Sequence, residues 1–171
     1  MPLGGTLWVP PDILEKAVYY YRKRFSRIGK FENTIYPETH QSLKKIKKAG
    51  IQLFLATSKP TVYANPILSH FDLSSFFNGI YGSELNGRWI DKGKLVDHIL
   101  KAEYLDPKST LIAGDRSHDI VAGKKNGIIT AAVTYGYGTQ EELVSSSPDY
   151  IFDTFSDLTD LITQQKSNSV S

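Results

Sequence analysis

The stretch Leu111-Ile112-Ala113-Gly114-Asp115-Arg116-Ser117-His118-Asp119-Ile120 constrains the fold more than any other. An apolar run reaches Gly114 and Asp115, and three polar residues, a second aspartate and Ile120 follow. The run predicts a buried strand that stops at Gly114 and hands over to a helix starting near Ser117 or His118. Glycine lets the backbone turn sharply at that point. A carboxylate at such a junction lies where open α/β sheets bind ligands, outside the carboxyl ends of the strands. Asp115 and Asp119 stand four positions apart. Spread across a strand end and a first helical turn, they can converge on one hard cation such as Mg²⁺. A plainer reading also stands: Asp115 ends the strand, and Asp119 stabilises a helix N-terminus.

The rest of the chain alternates in the same way. Pro10, Pro11 and Asp12 open a helix over 12–28, with Ile13, Leu14, Ala17, Val18, Tyr21 and Phe25 on one stripe. Residues 31–37 read as extended, and a helix over 38–49 ends at Gly50. Ile51 to Ala56 predicts a strand that terminates in Thr57-Ser58-Lys59-Pro60. A helix over 61–70 turns Val62, Ile67 and Leu68 inward, and a short strand covers 76–81. After the Asn86-Gly87 turn, Leu95, Val96, Ile99 and Leu100 form the core stripe of a helix over 92–103. The helix after Gly114 runs to Asn126 and closes at Gly127; a strand covers 128–133. Thr139 caps a helix over 140–145, a last strand covers 150–152, and a helix over 156–162 closes the domain. Such alternation predicts one parallel sheet of about five strands with helices on both faces. The polar stretch 164–171 reads as a frayed, flexible tail.

Composition narrows the chemistry. The 171 residues suit one ordinary domain, with 20 basic against 18 acidic side chains. So balanced a charge argues against nucleic acid or an anionic membrane as partner. There is no cysteine, hence no disulfide and no thiolate metal site. No apolar run reaches membrane-spanning length and no signal-peptide pattern opens the chain, so the expected setting is cytoplasmic. Tyr135-Gly136-Tyr137-Gly138 is not a dinucleotide fingerprint, because Glu141 occupies the place of the third glycine.

Three features fall at predicted strand ends or in the loops after them. Thr57 and Ser58 offer hydroxyls before a helix, which suits a phosphate oxygen. Lys92 offers an ammonium at a helix start, and Asp115 with Asp119 offers an acidic metal site. Converging on one crevice, they describe phosphoryl chemistry: the cations neutralise an anionic transition state and the hydroxyl orients it.

With these residues in place, the sequence resembles the haloacid dehalogenase superfamily of aspartyl-phosphate hydrolases, and within it the phosphoglycolate phosphatase branch with its nucleotide phosphatase relatives. Leu55-Ala56-Thr57-Ser58-Lys59-Pro60 is similar to the second motif of that superfamily and Asp91-Lys92-Gly93 to the third. Gly114 to Ile120, followed by Gly123, Asn126-Gly127 and Tyr135-Gly136-Tyr137-Gly138, is similar to the fourth. The resemblance implies a Rossmann-like three-layer α/β/α fold with a parallel sheet. It implies the remnant of a helical cap over 1–36, with Phe31 to Pro37 as its exit, and a core over 37–163. It also implies roles. Thr57 and Lys92 would be catalytic; Thr57, Ser58 and Lys92 would bind phosphate; Asp115 and Asp119 would hold Mg²⁺. Lys94 competes with Lys92, which is preferred because the apolar stripe begins three residues after it. The implied substrate is a small phosphorylated metabolite.

One departure matters. The superfamily's first strand ends in Asp-x-Asp-Gly-Thr, which supplies the nucleophile and the general acid/base, and no Asp-x-Asp occurs in this chain. Leu3-Gly4-Gly5-Thr6-Leu7 matches only the tail of that motif, with Pro2 and Gly4 where the aspartates belong. The better reading makes 1–30 the later part of the cap, with the first strand missing. That strand would be central, so its loss would expose two apolar edges and invite self-association. Three expectations follow: a phosphatase truncated or of doubtful activity in this form, a non-catalytic interaction protein on a phosphatase scaffold, or an unrelated α/β phosphate-binding module.

Overall fold

The computed structural model describes residues 10–168, in two units that divide after Thr34. The readings placed on residues 1–9, including the loop Leu3 to Leu7, and on 169–171 lie outside the described residues.

The first unit is α1 (Pro11–Arg27) followed by a 3₁₀ turn, Gly29–Phe31. Proline opens the helix where no N–H is needed; Asp12 sits at the positive end and Arg24 and Arg27 at the negative end. Arg24 turns back to donate two hydrogen bonds to Glu32, at 2.8 and 2.7 Å. No residue of α1 is buried, and Ile13, Leu14 and Tyr19 to Tyr21 are all exposed, although the sequence predicts an apolar inner stripe there.

The second unit runs α2 (Thr39–Lys48), β1 (Phe54–Pro60), α3 (Thr61–His70), β2 (Gly79–Ser83), α4 (Lys92–Ala102), β3 (Leu111–Gly114), α5 (Ser117–Lys125), β4 (Ile129–Val133), α6 (Gln140–Ser145), β5 (Tyr150–Phe152) and α7 (Phe155–Asn168). This is the α/β alternation expected. Three strands start later than their apolar runs suggest, β4 by a single residue. The Asn78 side-chain amide takes the Leu53 N–H at 2.9 Å, which delays β1 to Phe54, and Ser74–Phe76 winds into a 3₁₀ turn ahead of β2. The last helix reaches Asn168, so part of the predicted tail is helical.

The strands are parallel but form two sheets, β1-β2 and β3-β4-β5, where a single sheet of about five is expected. Ladder bonds on both sides mark β4 as the central strand of its sheet. In β4, paired on both sides, Thr130, Ala131, Ala132 and Val133 are buried. In β1 and β3, each paired on one side, no residue is buried, and Ala113 in β3 is exposed. The two sheets are tied together by α4, which packs against β1, β2 and α5 and buries Leu95, Val96, Ile99 and Leu100. Each such side chain contributes roughly 2 kcal/mol by leaving water. In α3 the inner face is Ala64 and Leu68, one helical turn apart; Val62, expected inward, points to solvent. Ile120, Ala132 and Leu143 form a small core cluster that joins α5, β4 and α6 beneath the loops of the site.

Candidate functional site

The β1–β2 ladder runs in step to Thr57 opposite Gly82 and then shifts, so that Pro60 pairs with Ser83. The surplus residues, Ser58 and Lys59, bulge outward and are exposed. The bulge is held locally: Lys59 N–H donates to Thr57 Oγ1 at 3.1 Å, and Ser83 Oγ donates to Ser58 O at 2.9 Å. This places two hydroxyl-bearing residues at the carboxyl end of β1, just ahead of α3.

Lys92 is the first residue of α4. Its neighbour Asp91 caps the helix by accepting the Lys94 N–H at 2.8 Å, and that bond holds the Asp91 carboxyl below the usual carboxylate range. Lys92 Nζ donates to Ala56 O at 2.8 Å and lies 3.2 Å from Asp119 Oδ1. One ammonium thus joins the end of β1 to the first turn of α5. The two side chains are only 8% and 10% exposed. Lys94, the competing lysine, is exposed one position past the buried Gly93. His118 Nε2 stands 3.7 Å from the same Asp119 oxygen.

Asp115 is gripped from the far side of β4. Its Oδ2 accepts the Tyr137 N–H at 2.7 Å. A Cβ on Gly136 would collide with the Asp115 carboxylate, and one on Gly138 with the Asp115 carbonyl, so only glycine lets this loop close on the acid. Gly114 has a related reason to be glycine. It does not adopt the positive φ that a sharp turn would need; instead its missing side chain admits Asp119. Both carboxylates therefore flank β3's end because glycines clear the space. Tyr135, in the same loop, packs edge-on to Tyr36; burial, helped by Tyr36 and Asp115, pushes its hydroxyl up to about 12.

The turn between the two aspartates has its own anchor. Ser117 donates to Glu142 Oε1 from both its N–H and its Oγ, each at 2.9 Å. Arg116 Nε donates to Glu142 Oε1 and Oε2 at 3.0 and 3.2 Å. These donors, the Ser117 N–H first, pull the Glu142 carboxyl down to about 2.

No group of three or more His, Cys, Asp or Glu side chains gathers at a metal-binding distance among the described residues. Mg²⁺ does not require one: it binds through one or two carboxylates, substrate phosphate oxygens and retained waters. Asp115 and Asp119 are two carboxylates, each fitted into space that a glycine, Gly136 or Gly114, leaves open.

Residues 8–133 match the family model of haloacid dehalogenase-like hydrolases. The chain belongs to the haloacid dehalogenase-like hydrolase family. This removes the reading as an unrelated α/β module. Within the haloacid dehalogenase-like hydrolases, the chain is 38% identical over 135 residues to a 5'-nucleotidase of Pseudomonas aeruginosa, covering 79% of this chain and 61% of that protein. It is 24% identical over 164 residues to a phosphoglycolate phosphatase of Vibrio vulnificus, covering 94% and 72% of the two chains. A crystal structure described as a predicted phosphatase from Clostridium acetobutylicum superposes with a TM-score of 0.85 at 33% identity, covering 91% of this chain and 72% of that one. The chain thus spans about three fifths of the length of the nucleotidase it matches.

The structure brings Lys92 and Asp119 into contact and sets Ala56, next to Thr57, against the same lysine. Asp115 is held by Tyr137 instead and makes no bond to Lys92. The sequence reading missed Glu142. A signal for it exists, since Thr139 and Glu142 have the spacing of a capping box, but that pattern predicts a carboxylate turned back on Thr139.

Proposed function

We propose that the site is the charge-stabilising half of a Mg²⁺-dependent phosphate-monoester hydrolase acting on a small phosphorylated metabolite, of the phosphoglycolate or nucleotide phosphatase type, in a cytoplasmic setting. The observation that carries it is the shielded Lys92 ammonium bridging Ala56 O and Asp119 Oδ1, which ties the end of β1, next to Thr57, to the first turn of α5. In this reading Thr57 and Ser58 donate to phosphoryl oxygens and Lys92 neutralises them. Asp115 and Asp119 would hold Mg²⁺, which when bound supplies further neutralisation of charge on the phosphoryl group. In this reading neither aspartate attacks phosphorus, because a carboxylate committed to the metal is neither free nor aligned in-line. With no Asp-x-Asp in the chain, no covalent route splits the reaction into two easier steps.

The test is turnover of p-nitrophenyl phosphate, phosphoglycolate and a 5'-nucleotide with Mg²⁺. This chain alone is expected to give no turnover above buffer. The chain joined to an N-terminal strand ending in Asp-x-Asp-Gly-Thr and a complete helical cap is expected to turn over, and to lose turnover in Asp115→Asn and Lys92→Met. An extended chain that stays inert, or one indifferent to Asp115, overturns the reading. Robust Asp115-dependent turnover by the present chain would place the nucleophile among its own residues.

A further inference from the structure

We infer that Glu142 is a positioning residue that keeps Arg116 away from Asp115 and Asp119 and so leaves that acidic pair open to a divalent cation. The inference rests on the reading of the pair as a cation site.

Two cations can contend for the pair: Lys92, already 3.2 Å from Asp119 Oδ1, and Arg116, which follows Asp115 directly and lies three residues before Asp119. A guanidinium offers five donors in a planar fork that matches carboxylates. Left to itself, Arg116 would fold onto one of the aspartates and take the place of the metal. In the structure it does not. Its Nε is engaged by both oxygens of Glu142, across a separation of 26 residues.

The way Glu142 is used supports a dedicated role. Thr139 caps α6 and accepts the Glu142 N–H at 3.1 Å, which is half of a capping box. The other half would return the Glu142 carboxylate to the Thr139 N–H. That carboxylate goes instead to Arg116 and to the Ser117 N–H and Oγ. The helix gives up one local bond so that the acid can reach the turn between the aspartates. The same segment holds Asp115 through the Tyr137 N–H. One short stretch, from Gly136 to Glu142, therefore both orients Asp115 and removes its competitor.

Isothermal titration with Mg²⁺, repeated with Mn²⁺, tests this on the intact chain. Melting temperatures are taken alongside to confirm folding. Four proteins suffice: the parent, Asp115→Asn, Glu142→Gln, and Glu142→Gln combined with Arg116→Ala. The parent is expected to bind and Asp115→Asn to lose most of its affinity. Glu142→Gln should bind at least fivefold more weakly, because Arg116 is released onto the carboxylates. Removing Arg116 as well should restore affinity to within about twofold of the parent, since the guanidinium no longer competes for the carboxylates. A purely structural Glu142 would leave the double variant as weak as the single one, which overturns the inference. Parent-like affinity in Glu142→Gln also overturns it, while the cation site stands. Equal affinity in the parent and Asp115→Asn, or none in either, overturns the cation site and the inference with it. Should Glu142→Gln fail to fold, Glu142→Asp with and without Arg116→Ala gives the same comparison.

Discussion

Lys92 Nζ sits 3.2 Å from Asp119 Oδ1, with both side chains about nine-tenths shielded from water. An ion pair so placed ties α4 to α5 and closes the carboxyl end of β1 through its second bond to Ala56 O. Removing one partner strands the other charge in a dry place. Lys92→Met is therefore expected to lower stability by roughly 3 kcal/mol. Combining it with Asp119→Leu should return most of that loss. Urea unfolding of the two variants decides, and a double variant no more stable than the single one would show that packing, not stranded charge, sets the cost.

The second prediction concerns the closeness of Gly136 to Asp115. A methyl group at 136 would overlap the Asp115 carboxylate, so loop or acid must move. Gly136→Ala should cost about 1–3 kcal/mol, as overpacking does elsewhere. It should also weaken Mg²⁺ binding, because the displaced group is one of the two proposed donors. Thermal melting and cation titration of the same sample check both effects. Unchanged melting would mean that the loop has room to spare.

Acid titration of stability should reveal Glu142. Its carboxyl is at about 2 in the folded chain against an ordinary 4.5, so protons prefer the unfolded state. The stabilisation from the charged form is complete above the unfolded value and is lost as the pH falls through the folded one. Glu142→Gln cannot titrate. The melting-temperature gap between parent and variant should be widest near neutrality and close as the pH is taken down from 4.5 towards 2. A gap that is constant across that range would be incompatible with the hydrogen bonds from Ser117 and Arg116.

The unpaired strand edges bear on association. Ala113 is exposed in the middle of β3, and β1 and β3 each carry ladder bonds on one side only. Open apolar edges template pairing with another chain, and a charge on the edge suppresses it. Sedimentation velocity is expected to show concentration-dependent self-association of the parent and its reduction in Ala113→Lys, with folding stability changed by less than about 0.5 kcal/mol. A parent that sediments as a monomer at every concentration refutes this.

Local signals determined much of the chain. Residues 61–70, 140–145 and 150–152 form the expected helices and strand without a shift, because proline, a threonine cap and an apolar triplet act on their own neighbours. Helical phase also separates Lys92 from Lys94: the first turns in with the Leu95 and Ile99 face, and the second faces water. The tertiary structure decided what depends on distant partners. Five strands could be read one by one, and the resemblance implies open edges where a central strand is missing, yet their division into two sheets lies in bonds between strands. Gly114 looks like a turn residue and is instead a gap for Asp119. Thr139 and Glu142 promise a closed capping box, but the acid is diverted to donors 25 and 26 residues away. A carboxylate goes where charged and backbone donors are most numerous, and here the fold, by packing α6 beside the turn after β3, brings more of them than the helix can offer.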